Sequence, residues 1–263
     1  MKIHHLRSAT FVIESGTNFI LIDPMLCDKG KLPPFSVIRY KARMNPLVPL
    51  PDNAPEILSN VTHCLITHSQ AFGIRAFQHT DHLDFAGEAF LRKNTIPVAC
   101  RKQDADYLRK YHLHVETALD YWRPKKFLSG EITAVPARHG HGWISYLMAN
   151  GAGFFLRIPD EPTLYISGDT VYTEDVDRAL TELKPDIAVM ASGSARLDAG
   201  KPILMPVDEL VTFARQAPGK VIANHLEALN HCPTTRTQLK EALEENGLLS
   251  KTVIPDDGET LVF

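Results

Sequence analysis

The sequence predicts an α/β (α+β) protein of two β-sheets with helices packed outside them. Three observations carry that reading. From residue 61 onward, short apolar runs alternate with helix-like segments, the order expected of strands followed by helices. Closely spaced strand-like runs at the N-terminus and in the middle of the chain read as hairpins, so part of each sheet is antiparallel, which a single doubly wound sheet does not accommodate. Four polar clusters each follow an apolar run, so several strand ends converge on one site.

Residues 3–14 and 18–23 read as two strands joined at Ser15-Gly16-Thr17, and the second leaves through the polar exit Asp23-Pro24. The next segment, Pro24 to Pro55, has prolines at 33, 34, 46, 49, 51 and 55 and no sustained period, which predicts a long ordered loop of functional importance. Lys29, Lys31, Arg39, Lys41 and Arg43 lie in it with no acidic residue between 29 and 51. Such a loop suits an anionic substrate if it overhangs the site, and is an ordinary solvated loop if it does not.

The run VTHCLITH, 61–68, is a strand that delivers His68. A helix over 84–94, a strand at 98–100 and a helix over 102–111 follow, the last with Asp104 and Asp106 near its start. Further strands are expected near 131–135, 143–148, 153–158 and 163–167. Beyond these come a helix over 175–183, a strand at 186–191, a helix at 207–216, a strand at 220–224, a helix at 235–246, and terminal strands near 251–254 and 260–263.

At 263 residues, with no composition break, Gly/Ser linker or repeat, the chain reads as one domain, 1–263. Hydrophobic residues at 44% and charged residues at 22% are those of an ordinary globular protein. A net charge of −3 argues against a nucleic-acid partner, which normally demands a basic excess. The start MKIHHLRSATFVIESG has no continuous apolar stretch, and no run of about 18 apolar residues occurs, so neither export nor a membrane span is expected and the cytoplasm is the default. Cys27, Cys64, Cys100 and Cys232 form no CxxC pair and read as buried thiols, with Cys232 directly after His231. A homo-oligomer is compatible with all of this.

The clusters themselves carry the chemistry. THSQAFGIRAFQHTDHLD, 67–84, packs His79, Asp81 and His82 into four residues after an apolar run. PARHGH at 136–141 offers His139 or His141, SGDT at 167–170 offers Asp169, and NHLEALNH at 224–231 offers His225 and His231. Imidazoles and carboxylates in this number, about six or seven, are enough for two divalent cations. The loop 184–200 adds Ser192, Ser194 and Arg196 at another strand exit, where they either meet substrate oxygens or belong to an ordinary connection.

In order and content these motifs resemble the metallo-β-lactamase superfamily of metal-dependent hydrolases, and look closest to its ascorbate-6-phosphate lactonase-like and N-acylphosphatidylethanolamine phospholipase D-like branch. The resemblance covers nearly the whole chain. It implies a four-layer αββα sandwich with the site at one edge between the sheets. It also implies that His68, His79 and His139 hold the first metal, that Asp81, His82 and His225 hold the second, and that Asp169 bridges both. The sequence departs from the family at one point, because SQAFGIRAFQ separates His68 from His79 where one residue is usual.

The cofactors implied are two divalent metal ions, with zinc as the first expectation and manganese or iron as alternatives. Two close cations lower the pKa of a bound water from about 15.7 to about 7, so hydroxide becomes available at neutral pH. Asp81 and Asp169 are then the carboxylates at the reacting centre, and Arg196 and His231 the candidates for contact with substrate. The expected function is hydrolysis, by a metal-bridged hydroxide, of a small lactone, ester or phosphoester, with an anionic substrate the one the basic loop would suit. The alternatives are a phosphodiesterase or nuclease of the same superfamily, and a binding protein in which the insertion has disabled one site.

Overall fold

The computed structural model describes residues 1–263. One seven-stranded sheet contains β1 (Lys2–Arg7), β2 (Thr10–Ser15), β3 (Asn18–Ile22), β4 (His63–Ile66), β5 (Val98–Arg101) and β6 (Val115–Leu119), with the C-terminal β14 (Thr260–Val262) added beside β1. The other contains β7 (Lys125–Phe127), β8 (Gly130–Ala137), β9 (Gly151–Arg157), β10 (Leu164–Ile166), β11 (Ile187–Ala191), β12 (Lys220–Asn224) and β13 (Thr252–Val253), also seven strands. Each sheet is mixed. Neighbouring strands pair antiparallel from β14 to β3 and from β7 to β10, while β3 to β6 and β10 to β13 pair in parallel.

Parallel neighbours need crossovers, and the helices supply them. α2 (Phe85–Lys93) and α3 (Lys102–Lys110) link the parallel strands of the first sheet, and α1 (Ala54–Ser59) precedes β4. α4 (Glu174–Glu182), α5 (Val207–Gln216) and α6 (Arg236–Glu245) do the same for the second sheet. Side-chain alternation along the strands then fixes the layers. In β3, Ile20 and Ile22 face the core between the sheets while Leu21 faces the helices; in β11, Ile187 and Val189 face inward while Ala188 and Met190 meet α4 and α5. The result is the αββα sandwich.

Local chemistry sets the helix starts. Asp84, the last residue of the HTDHLD cluster, caps α2 by accepting from the Gly87 N–H at 2.7 Å. Thr235 and Gln238 form a capping box at the start of α6.

Two expected strands differ from the fold. The run 3–14 is broken into β1 and β2 by a tight turn, with Ser8 in the left-handed region at φ 56 and Arg7 paired across to Thr10. Residues 143–148 are a helical turn instead of a strand: Gly142 has φ 65, and the Ser145 hydroxyl donates back to the Gly142 carbonyl at 2.8 Å. The short α1, β6 and β7 had no clear signal, since α1 opens beside Pro55 and β7 contributes only Lys125, Lys126 and Phe127. The segment 24–55 is an ordered loop up to α1, as expected. Asn45 and Asn230 pin it, with the Asn230 N–H donating to Asn45 Oδ1 at 2.9 Å.

Candidate metal centre

The sheets open at one edge, where β4, β8, β10 and β12 end. His68 lies just beyond β4, His139 beyond β8, Asp169 beyond β10 and His225 directly after β12. Ligands at the carboxyl ends of strands are what open α/β sheets supply most readily. Two glycines allow the close approach. Gly168 of SGDT sits at φ 61, where a Cβ would stand 2.8 Å from the Ala152 carbonyl oxygen, and a Cβ on Gly151 would meet His68 Cβ at 2.9 Å.

The insertion between His68 and His79 loops out and returns. Gln70 and Gln78 bridge its neck, and the His79 N–H donates to the Ser69 carbonyl at 2.9 Å. The two imidazoles therefore arrive together, with His68 Nε2 3.0 Å from His79 Nδ1. His139 joins them to make one group of three donors, and Asp81, His82, Asp169 and His225 make a second. Asp169 Oδ2 stands between the groups, 3.1 Å from His82 Nε2, 3.6 Å from His225 Nε2 and 3.7 Å from His139 Nε2. Asp81 Oδ2 is 3.8 Å from His82 Nε2 and 4.0 Å from His225 Nε2.

Second contacts turn the correct ring nitrogens inward. His139 Nδ1 donates to the Ile203 carbonyl at 2.8 Å, which leaves Nε2 as the lone-pair donor. His82 Nδ1 lies 2.9 Å from Asp23 Oδ2, and the same carboxylate accepts from the Thr67 N–H and hydroxyl at 2.8 and 2.7 Å. Asp23, the polar exit of β3 at φ 45, thus orients both the His82 ring and the strand end that carries His68. His225 is held at φ 60, its N–H donating to the Ser8 carbonyl at 2.9 Å.

Electrostatics separate the two groups. Burial holds His79 down to about 3, while burial and the neighbouring imidazoles hold His68 well below the ordinary histidine range. Burial lowers His139 as well. These three rings are neutral donors, the protonation state a metal requires. Burial works against charge on His82 too, but Asp169, Asp23 and Asp81 outweigh it and raise its pKa. Asp169 and Asp81 are held low against burial chiefly by the His82 charge.

A cation is what these atoms fit. His82 Nε2, Asp169 Oδ1 and His225 Nε2 are buried and lack any hydrogen-bond partner, and all three belong to the second group. Buried polar atoms rarely go unsatisfied, and three around one point indicate an ion. Three imidazoles, and two imidazoles with two carboxylates, are donor sets that suit zinc, manganese or iron.

Other predicted residues lie elsewhere. His141 turns away, its Nε2 2.5 Å from Glu209 Oε1. Ser192 and Ser194 donate to the carbonyls of Met190 and Met205, and the Arg196 N–H donates to the His231 carbonyl. The Arg196 side chain is not part of the cavity lining, whereas His231 is.

That cavity, about 320 Å³, sits over the donors, with His79, Asp81, His139 and His231 facing it. Its walls are apolar and were not singled out in the sequence. Phe77 comes from the insertion, Ile144, Leu147 and Met148 from the turn after PARHGH, and Phe35 and Leu197 from two loops tied together by Asp198. Asp198 Oδ1 accepts from the Ser36 hydroxyl and from the N–H groups of Ile38 and Arg39, which holds its carboxyl well below the usual range. No lysine or arginine lines the cavity; Lys29, Lys31, Arg39, Lys41 and Arg43 are all exposed.

A family model described as the β-lactamase superfamily domain matches residues 18–225. The chain belongs to the β-lactamase superfamily. It is a metal-dependent hydrolase of the metallo-β-lactamase type, and several relatives match it over nearly their whole length. It is 30% identical to the UPF0173 protein YddR of Bacillus subtilis, over 100% of both chains. Identity to a UPF0173 metal-dependent hydrolase of Pyrococcus furiosus is 28%, over 99% of each chain. Among solved structures, an isothiocyanate hydrolase from Delia radicum gut bacteria superposes with a TM-score of 0.87 at 30% identity, covering 100% of this chain and 99% of that one. No helix of the chain is long and apolar enough to cross a membrane.

Proposed function

We propose that this superfamily member holds two divalent cations and hydrolyses a small, uncharged, largely apolar electrophile. The observation that carries the reading is the position of two adjacent donor groups beneath a cavity whose walls are apolar and free of cationic side chains. His68, His79 and His139 would hold one ion, and Asp81, His82 and His225 the other, with Asp169 shared. Bound cations supply Lewis acidity and lower the pKa of a coordinated water.

The chain's own residues do the rest. Asp23 and the Ile203 carbonyl lock the His82 and His139 rings in the orientation that offers Nε2. Asp81, on the cavity side of the second group, accepts a hydrogen bond from the attacking water and orients it. Phe77, Leu147 and Phe35 offer apolar surface to an apolar substituent. An anionic group has no partner there, so the basic loop 29–43 is a solvated surface in this reading.

The isothiocyanate hydrolase similarity supports a neutral heterocumulene as the first probe. The test compares phenethyl isothiocyanate, 4-nitrophenyl acetate and a neutral aliphatic lactone with bis(4-nitrophenyl) phosphate, using zinc- and manganese-loaded protein. Turnover of a neutral probe with kcat/KM at least about tenfold above the phosphodiester supports the reading. A preference for the phosphodiester overturns the substrate class and moves the phosphodiesterase alternative ahead.

A further inference from the structure

Cys232 stands between two histidines that belong to different parts of the site. Its Sγ is 3.6 Å from His225 Nδ1 and 3.9 Å from His231 Nδ1. The thiol is buried and closely packed, since a Cβ on Gly193 would come within 2.8 Å of Sγ. Three groups in that order have only one consistent arrangement of protons when His225 serves the donor group.

An imidazole that gives its Nε2 lone pair to a cation carries its proton on Nδ1. His225 Nδ1–H then donates to Cys232 Sγ, which accepts. A thiol, with an ordinary pKa of about 8.5, keeps its proton at neutral pH. His225 Nδ1 and His231 Nδ1 are the hydrogen-bond partners within reach of this sulfur, so the S–H, which a protonated His225 Nδ1 does not accept, points to His231 Nδ1. His231 therefore carries its own proton on Nε2, the nitrogen that forms no hydrogen bond within the protein, on a ring that lines the cavity beside Asp81 and His139. The Phe35 ring, edge-on to His231 at 5.1 Å, fixes its plane.

We propose that His231 is a catalytic hydrogen-bond donor, its Nε2–H meeting the substrate heteroatom that gathers negative charge when the adjacent carbon is attacked, and that Cys232 is the positioning residue that fixes this tautomer. The step is hydrogen bonding only; no proton leaves the ring. A donor of this kind, aimed at charge that develops during the reaction, stabilises the transition state more than the ground state, so it acts on kcat. The inference rests on the hydrolase reading above, and adds to the donor groups a side chain beside them that meets the charge developing on the substrate.

The test has two readouts. In zinc-loaded protein with 15N-labelled histidine, the ring nitrogen shifts of His231 should report the Nε2–H tautomer, and Cys232→Ala should convert it to a mixture while Cys232→Ser keeps it. A wild-type His231 that is Nδ1–H or doubly protonated overturns the proposal, whether or not any probe turns over. With phenethyl isothiocyanate as substrate, His231→Phe should lower kcat by about 10²-fold with zinc content unchanged, and His231→Gln, which keeps a donor, should recover part of the loss. Unchanged kcat in His231→Phe, in a wild type that is active, overturns the donor role and leaves the hydrolase reading standing. A wild type that binds zinc and hydrolyses none of the neutral probes overturns the substrate reading instead.

Discussion

His68 Nε2 and His79 Nδ1 are 3.0 Å apart although eleven positions separate them in the chain. The strand end that carries His68 and the turn that carries His79 meet because the intervening residues leave and return through the Gln70–Gln78 bridge. The excursion also reaches across the mouth of the site. Arg75 pairs with buried Glu88 on α2, Tyr107 of α3 donates to Gln78 Oε1 at 2.8 Å, and Phe77 is thereby set into the cavity wall. An insertion that looks like a defect in the motif is, in the fold, a device that keeps the donors together and adds an apolar wall.

Phe77→Ala should therefore alter specificity without altering the metal centre. Losing part of an aromatic contact removes about 1 kcal/mol of apolar binding, so KM for phenethyl isothiocyanate should rise about fivefold. Metal content and kcat should stay within about twofold of wild type. Steady-state kinetics and elemental analysis check this, and a loss of metal would mean that the insertion supports the donors themselves.

Asp23 should matter although it belongs to neither donor group. Its carboxylate accepts from Thr67 and orients His82, so Asp23→Ala leaves His82 free to rotate and Thr67 unpaired. Metal affinity should fall about 10–100-fold, the usual cost of losing such a supporting contact. Competition with a chromogenic chelator measures it. Asp23→Asn, which keeps the shape and one acceptor, should lie between.

The metal-free protein should lose stability as the pH falls below about 6.5. His79 and His231 have folded pKa values of about 3 and about 4 because burial disfavours the imidazolium, so the unfolded chain takes up protons in this window and the folded chain does not. Stability tied to these two rings is complete above the unfolded value and drains away as the pH descends toward the folded ones. His82, raised by its carboxylates, works in the opposite direction and moderates the slope. Thermal unfolding at pH 7.5 and 5.0 should show a lower Tm at the acid end, and a smaller drop in His231→Phe.

How much was legible in the sequence differs between site and wall. The donors announce themselves because imidazoles and carboxylates seldom gather at several strand ends for packing alone, and the structure brings His68, His79, Asp81, His82, His139, Asp169 and His225 to one edge. His141 and His139 could not be separated in sequence; the Glu209 carboxylate that draws His141 away comes from α5, far along the chain. The cavity wall left no trace, because Phe35, Phe77, Leu147 and Leu197 come from four irregular segments, and an apolar residue in a loop carries no period to show which way it faces. The strand expected at 143–148 failed for a related reason. Its apolar run is entered through the left-handed Gly142, and the fold uses the resulting turn to aim Ile144 and Leu147 at the cavity. The charges of the loop 29–43 left a substrate-facing and a solvated reading both open, and none of its lysines or arginines lines the cavity.

Two cations sharing Asp169 would leave a stoichiometric signature. Elemental analysis of purified protein, stripped with a chelator and reloaded with zinc, reads it when wild type is compared with His79→Ala and Asp169→Ala. Wild type should retain about two ions per chain, His79→Ala should lose one, and Asp169→Ala should hold both more weakly. A wild-type chain that retains one ion, with His79→Ala unchanged, would contradict the shared two-cation centre.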